Sequence, residues 1–181
     1  MGGLVSRSAF YYAEQAQHNW PDQVNKMVFL GTPHHGAVLE KGGNLIDVLL
    51  KSSPYSLPFT KLAKIRSAGI TDLRYGSIID EDWQGKDRFS YAVDNRGPLA
   101  LPKSVHCYTM AAVKNKQSTI ISDRLVGDGL VNVNSALGRH DNELLHLSFP
   151  EQHQWIGRDM NHMDLLYHPD VYSQIKAWLL V

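Results

Sequence analysis

Cysteine is nearly absent from this chain, with Cys107 the only one in 181 residues. A single thiol closes no internal disulfide and completes no cysteine-rich zinc site, so a stapled secreted scaffold and a zinc finger are both excluded. A surplus of either charge is missing too: 18 Lys and Arg stand against 18 Asp and Glu. Without a basic excess there is no electrostatic footprint for nucleic acid or an anionic membrane surface, so no nucleic-acid partner is expected. No signal-peptide core, membrane-spanning run, repeat or low-complexity tract is found, so a membrane role is not expected of this segment and a cytoplasmic location is the default. What is present is the balance of an ordinary globular protein, 43% hydrophobic and 20% charged, in a length that suits about one domain.

The chain opens inside an element, because Met1-Gly2-Gly3-Leu4-Val5 runs into a helical pattern with no strand or cap before it. Leu4, Val5, Ala9, Phe10, Tyr12, Ala13 and Ala16 recur at helical steps from Leu4 to His18, and Asn19-Trp20-Pro21 closes that helix. Lys26 to Leu30 is a short apolar run ended by Gly31-Thr32-Pro33, the pattern of a buried strand leaving a sheet. Residues 37–104 change character, with Pro54, Pro58, Pro98 and Pro102, helical spacing over 44–51 and 60–68, and none of the nine histidines, and are read as an inserted lid or cap. Val105 to Ala111 predicts a second strand and Leu144 to Phe149 a third. Leu130 to Leu137 predicts a short helix ending at Gly138, and Asp170 to Leu180 a longer one started by Pro169. Strands alternating with helices imply the α/β class, a parallel sheet covered on both faces.

In such sheets ligands sit beyond the carboxyl ends of the strands, which directs attention to three turns. They are Gly31-Thr32-Pro33-His34-His35-Gly36, Val126-Gly127-Asp128-Gly129-Leu130-Val131 and Asn161-His162-Met163-Asp164-Leu165-Leu166. Asp128 and His162 suit an orienting acid and a general base, since a carboxylate that accepts from one imidazole nitrogen fixes the tautomer and frees the other nitrogen for a proton. Two structural readings stay open beside that one: Asp128 as a turn or cap residue, and His162 as the start of a helix capped by Asp164. His34 and His35 are adjacent, so their side chains diverge; they are candidate substrate-side residues in a turn or pocket wall, and no metal is expected there. The acidic group Asp80-Glu81-Asp82 fits a solvated surface, because calcium would need further oxygen ligands at other spacings. Cys107 fits a buried small hydrophobe. Trp83, Tyr55 and Phe59 suit the wall of an acyl pocket or ordinary packing. No cofactor is expected.

These segments resemble the α/β-hydrolases, in particular the lipase-like esterases related to the GPI inositol-deacylases. Met1-Gly2-Gly3-Leu4-Val5-Ser6-Arg7 is similar to the tail of the Gly-x-Ser-x-Gly elbow and its helix, and the turn at Gly31 to Gly36 to the one leading into the family's lid. Gly127-Asp128-Gly129-Leu130-Val131 is similar to the turn of the triad acid, and Asn161 to Leu166, with Val171-Tyr172 and Trp178-Leu179, to the histidine turn and terminal helix.

The resemblance implies the carboxy-terminal portion of an α/β-hydrolase fold acting on a small-molecule ester or lipid. Asp128 and His162 would be two members of a Ser-His-Asp triad, and Met1 would follow the nucleophile and give its main-chain nitrogen to the oxyanion hole. The serine itself would sit just before Met1, since Ser6 and Ser8 fall on the helix behind the elbow. The 181 residues alone are accordingly expected to show no esterase turnover above background. An amidase, thioesterase or acyltransferase would use the same fold. The alternative is a non-catalytic remnant of the fold that binds a partner, with an unpaired apolar edge at Lys26 to Leu30 inviting self-association.

Overall fold

One strand is buried along almost its whole length. The computed structural model describes residues 1–36, 73, 76–85, 94, 96–114, 128 and 130–180. In chain order its helices and strands are α1 (Gly2–Gln15), β1 (Lys26–Leu30), α2 (Asp80–Trp83), β2 (His106–Val113), α3 (Val133–Ala136), β3 (Gln154–Arg158) and α4 (Pro169–Leu180). The helices expected over 44–51 and 60–68, together with Tyr55, Phe59 and most of the 37–104 segment, lie outside the described residues.

Every residue of β2 after His106 is buried. That is why the sequence there is a continuous apolar run rather than an alternating one. β1 and β3 flank it in the order β1-β2-β3 and both pair with it in parallel, with Val28 opposite Tyr108 and Ala111 opposite Ile156. Alternate side chains of β2 serve opposite faces. Cys107, Ala111 and Val113 meet Phe10 and Leu4 of α1, Val133 and Ala136 of α3, and the loop residues Leu147 and Phe149. Thr109, fully buried on that face, donates its hydroxyl to the Ala136 carbonyl at 2.7 Å. Tyr108, Met110 and Ala112 meet Val171 and Trp178 of α4 on the other face. The Trp178 indole is anchored by donating to the Gln152 carbonyl at 3.1 Å.

The expected third strand is displaced. Leu144 to Phe149 contains the alternation of a strand, with Leu145, Leu147 and Phe149 buried and Leu144, His146 and Ser148 exposed. It joins no sheet, because Glu143–Leu145 winds into a 3-10 turn, Leu147 N–H is taken by the Gly138 carbonyl and Phe149 N–H by the Leu147 carbonyl. The strand is Gln154–Arg158, whose Gln, Gly and Arg gave no apolar run.

The buried face of α1 is also narrower than its periodicity predicts. Leu4, Arg7, Phe10 and Ala13 are buried, while Val5 and Tyr12 are exposed. α3 is one turn rather than the span from Leu130, because Asn132 caps it by accepting from Asn134 N–H at 2.8 Å. The acidic group is solvated only in part: Asp80 and Glu81 are exposed, while Asp82 is buried and its Oδ2 accepts from Ile78 N–H at 2.9 Å. Cys107 is buried, and burial pushes its thiol up to about 11. Among the described residues no helix is long and apolar enough to cross a membrane.

Met110 is fully enclosed between β1, β3 and α4. Met110→Ala leaves a cavity at the centre of the sheet and is expected to lower unfolding free energy by about 2–5 kcal/mol. The shift of the urea midpoint at constant slope checks this.

Candidate active site

Two of the expected residues meet at hydrogen-bonding distance. His162 Nδ1 lies 2.6 Å from Asp128 Oδ2. Asp128 is buried and His162 is not: the carboxylate side chain is 2% exposed, the imidazole 24%. The second carboxylate oxygen, Oδ1, accepts from Leu130 N–H and Val131 N–H, both at 2.8 Å. The turn reading of Asp128 is therefore met by one oxygen and the pairing by the other. Both carboxylate oxygens are fixed, so Oδ2 presents one direction to the ring. With Nδ1–H donating to a carboxylate, Nε2 is left as the acceptor of the neutral ring. Among the described residues Nε2 makes no hydrogen bond.

The backbone beneath the imidazole is held independently. Asn161 caps the 3-10 turn His162–Leu166, its side chain accepting from Met163 N–H at 2.8 Å and Asp164 N–H at 3.3 Å. Asp164 answers with Oδ2, which accepts from Asn161 N–H at 2.7 Å, completing a reciprocal box. Tyr167 donates its hydroxyl to Asp164 Oδ1 at 2.7 Å, and that bond, with the Asn161 N–H, holds the Asp164 carboxyl below its ordinary range. Leu165, 1% exposed, pins the turn into the core beside Met110. Asp164 thus has the capping role that its spacing allows, while His162 turns to Asp128 instead.

Gly31 makes room for the ring. It lies at φ +55°, and a Cβ there would sit 2.7 Å from His162 Cε1 and 2.9 Å from Leu165 Cδ1. The adjoining Thr32 and the strand residue Phe29 receive the first turn of α1, where a Cβ on Gly3 would collide with both side chains. The amino end of α1 and the His162 ring therefore converge on consecutive residues at the carboxyl end of β1. Met1 stands at the head of α1, its carbonyl accepting from Leu4 N–H at 3.0 Å, and partial burial lowers its amine from the ordinary 8.0.

His34 and His35 face another cluster. His34 is fully buried against the rings of Phe29 and Phe149, with Arg7 Nη1 donating to its Nδ1 at 3.4 Å. Burial and the Arg7 charge hold it well below the usual imidazole value. His35 packs edge-on against His140 and has its backbone N–H bonded to Ser135 Oγ at 3.1 Å. Burial brings its ring down to about 4 against an opposing pull from the Gly138 backbone, with smaller contributions from the nearby Arg96, His140 and Arg7 charges. Arg96 binds Asp94 through Nε and Nη2 and the His34 carbonyl through Nη1. His34 is thus interior and His35 half-buried, with arginines as partners rather than Asp128 or His162. Among the described residues no group of three or more His, Cys, Asp or Glu could hold a metal ion.

The cluster was readable only in part. Arg7 interrupts the buried spacing of Leu4, Phe10 and Ala13, and a cation inside an apolar stripe is the one local sign of it. Arg96 meets His34 across 62 residues and carries no such sign. The Asn161-x-x-Asp164 box is a visible capping pattern, although nothing in it shows that its product is a fixed histidine.

Two outcomes follow. Gly31→Ala sets a side chain in the left-handed region and against the ring, so it is expected to cost at least about 1 kcal/mol and to shift the His162 imidazole resonances in nitrogen–proton NMR spectra. His34 and His35 bind protons more weakly folded than unfolded, so between about pH 6.5 and pH 4 the unfolded chain holds more protons. Stability is expected to fall as pH drops through that window, and His35→Gln to flatten the slope; urea titrations across the window measure both.

Residues 1–124 match the model of the PGAP1-like alpha/beta domain, about two-thirds of the chain. The match takes in α1, β1, α2 and β2 and ends before Asp128. No curated protein and no solved structure matches the chain. Set beside the parallel sheet with helices on both faces, the match identifies the chain as a member of the PGAP1-like alpha/beta domain family, a lipase-like branch of the α/β-hydrolases.

Proposed function

We propose that the chain carries the base and the orienting acid of a serine ester hydrolase, His162 and Asp128, acting on a small-molecule ester or lipid. The observation that carries this reading is the 2.6 Å hydrogen bond between His162 Nδ1 and a buried carboxylate, on an imidazole that is itself 24% exposed. In that arrangement Nε2 takes the proton from a serine hydroxyl as its Oγ attacks the ester carbonyl carbon. The imidazolium that forms is stabilised by Asp128, which stays ionised. Collapse of the tetrahedral intermediate expels the alkoxide, which receives the proton from Nε2; water then enters by the same route in reverse and frees the acid.

On the elbow resemblance the nucleophile would lie immediately before Met1. The convergence of the α1 amino end and the His162 ring on Thr32 and Gly31 supports that position. Met1 main-chain N–H would then donate to the oxyanion. His34 and His35 would act behind the pocket, holding its floor, rather than on the substrate surface. The 37–104 segment would supply the lid and acyl wall by family analogy.

The test is to express the chain together with its in-frame upstream codons and assay p-nitrophenyl acyl esters. His162→Ala and Asp128→Asn are each expected to lower kcat by roughly 10³-fold or more with little change in KM. The 181 residues alone should give background turnover. Hydrolysis that survives His162→Ala unchanged would sink the reading.

A further inference from the structure

Asp164 does more than the capping that its spacing predicts. Its Oδ2 accepts from Asn161 N–H and its Oδ1 from the Tyr167 hydroxyl, both at 2.7 Å. Its own N–H meets the Asn161 side chain at 3.3 Å and the Asn161 carbonyl at 3.1 Å. Its carbonyl accepts from Tyr167 N–H at 3.1 Å and from His168 N–H at 2.8 Å. The bonds to Asn161 all close across His162, which lies between the two residues. Asn161 Oδ1 also accepts from Met163 N–H at 2.8 Å, so the main chain on either side of His162 is tied to one small ring of hydrogen bonds.

That ring sets the direction in which the His162 side chain leaves the backbone. A 2.6 Å bond to a carboxylate fixed at both oxygens tolerates little error in that direction. Working sites hold such groups to within about 0.5 Å and 10–20° through neighbours that do not touch the reacting atoms. Asp164 is itself fixed in the same way as Asp128, because each carboxylate oxygen has a separate partner and the group cannot turn without breaking one of the two bonds.

The turn has other means of staying folded. Leu165, 1% exposed, buries it in the core, and Met160 N–H ties its approach to the Val113 carbonyl at 3.0 Å. Tyr167 is 71% exposed, and hydrogen bonds in reach of water add little net stability. What its hydroxyl adds is direction.

We propose that Asp164 and Tyr167 are positioning residues for His162: Tyr167 fixes the Asp164 carboxylate, Asp164 fixes the main chain around His162, and the ring is thereby delivered to Asp128 with Nε2 left over. The catalytic consequence rests on the reading of His162 as a base. The orientation of the ring does not, and it is measured separately.

Long-range nitrogen–proton NMR spectra of the 181-residue chain read that orientation without turnover. The unaltered chain should show His162 as one tautomer protonated on Nδ1, with a slowly exchanging Nδ1–H proton. Asp164→Ala is expected to average the tautomers and to lose that proton from the spectrum, and Tyr167→Phe to weaken it. Asp164→Glu should retain it, because a glutamate at this position reaches back to the same main-chain N–H. The urea midpoint should stay close to that of the unaltered chain in all three. In the extended protein, Asp164→Ala should lower kcat roughly ten- to a hundredfold with KM little changed, and Asp164→Glu should restore most of it. A His162 signal unchanged in Asp164→Ala overturns the proposal, as does a changed signal with kcat unaltered. So does a signal lost only in step with the urea midpoint; Tyr167→Phe, which leaves every main-chain bond in place, decides the matter if Asp164→Ala does not fold. Hydrolysis that survives His162→Ala counts against the base alone, and the tautomer spectra then still show whether Asp164 and Tyr167 orient the ring.

Discussion

The double burial of β2 is the constraint on which the candidate site depends. A strand enclosed on both faces has no register to slip into, because a shift of one residue would exchange Thr109 and Met110 between two unlike environments. Its carbonyls therefore stand at fixed points, and both turns that meet at the site hang from them. Gly31 N–H donates to the Met110 carbonyl at 2.9 Å, and Met160 N–H to the Val113 carbonyl at 3.0 Å. One anchor holds the glycine that accommodates the His162 ring, and the other holds the approach to His162 itself. The distance between ring and glycine is thus set by a hydrogen-bonded ladder rather than by loops.

Elements were legible where one face alone decided them. Lys26 to Leu30 and the helix after Pro169 are short, bounded and carry a single signal, and both form where the sequence puts them. The misplacement of the third strand has a specific cause. Leu144 to Phe149 has true alternating burial, but burial and pairing are separate properties, and the N–H groups of Leu147 and Phe149 close local bonds. Gln154 to Arg158 pairs because β2 offers an open edge there and Trp155 and Ile156 are enough to cover it.

The candidate pair shows the same division. Glycines around Asp128 and the polar start of the His162 turn are local features, and strand-end placement gave them a common location. Their contact depends on Asp128 Oδ1 being occupied by Leu130 and Val131 N–H, so that Oδ2 alone turns outward. The surroundings of His35 were not legible, because Arg96 and Ser135 reach it from 61 and 100 residues away. Adjacent histidines after a strand look alike whether they face a pocket or the core.

The nine histidines differ most in what their rings touch. His34 and His35 are kept neutral first by burial and then by nearby arginine charge, so each is a poor acceptor of a further proton near neutrality. His153 bonds a main-chain carbonyl, that of Cys107, which stabilises an imidazolium less than a carboxylate does. His140 lies 3.9 Å from Asp94, whose oxygens Arg96 already holds, and His168 lies 3.8 Å from an exposed Asp170. The exposed His168–Asp170 pair is screened and orients little. His162 alone among these has a short bond to a buried, fully coordinated carboxylate, a backbone clamped by Asn161 and Asp164, and a ring face set against a glycine at the carboxyl end of the sheet. A base must keep its geometry while its charge changes. The short, buried, doubly anchored bond to Asp128 satisfies that requirement, and it is the strongest physical reason to look for the chemistry there.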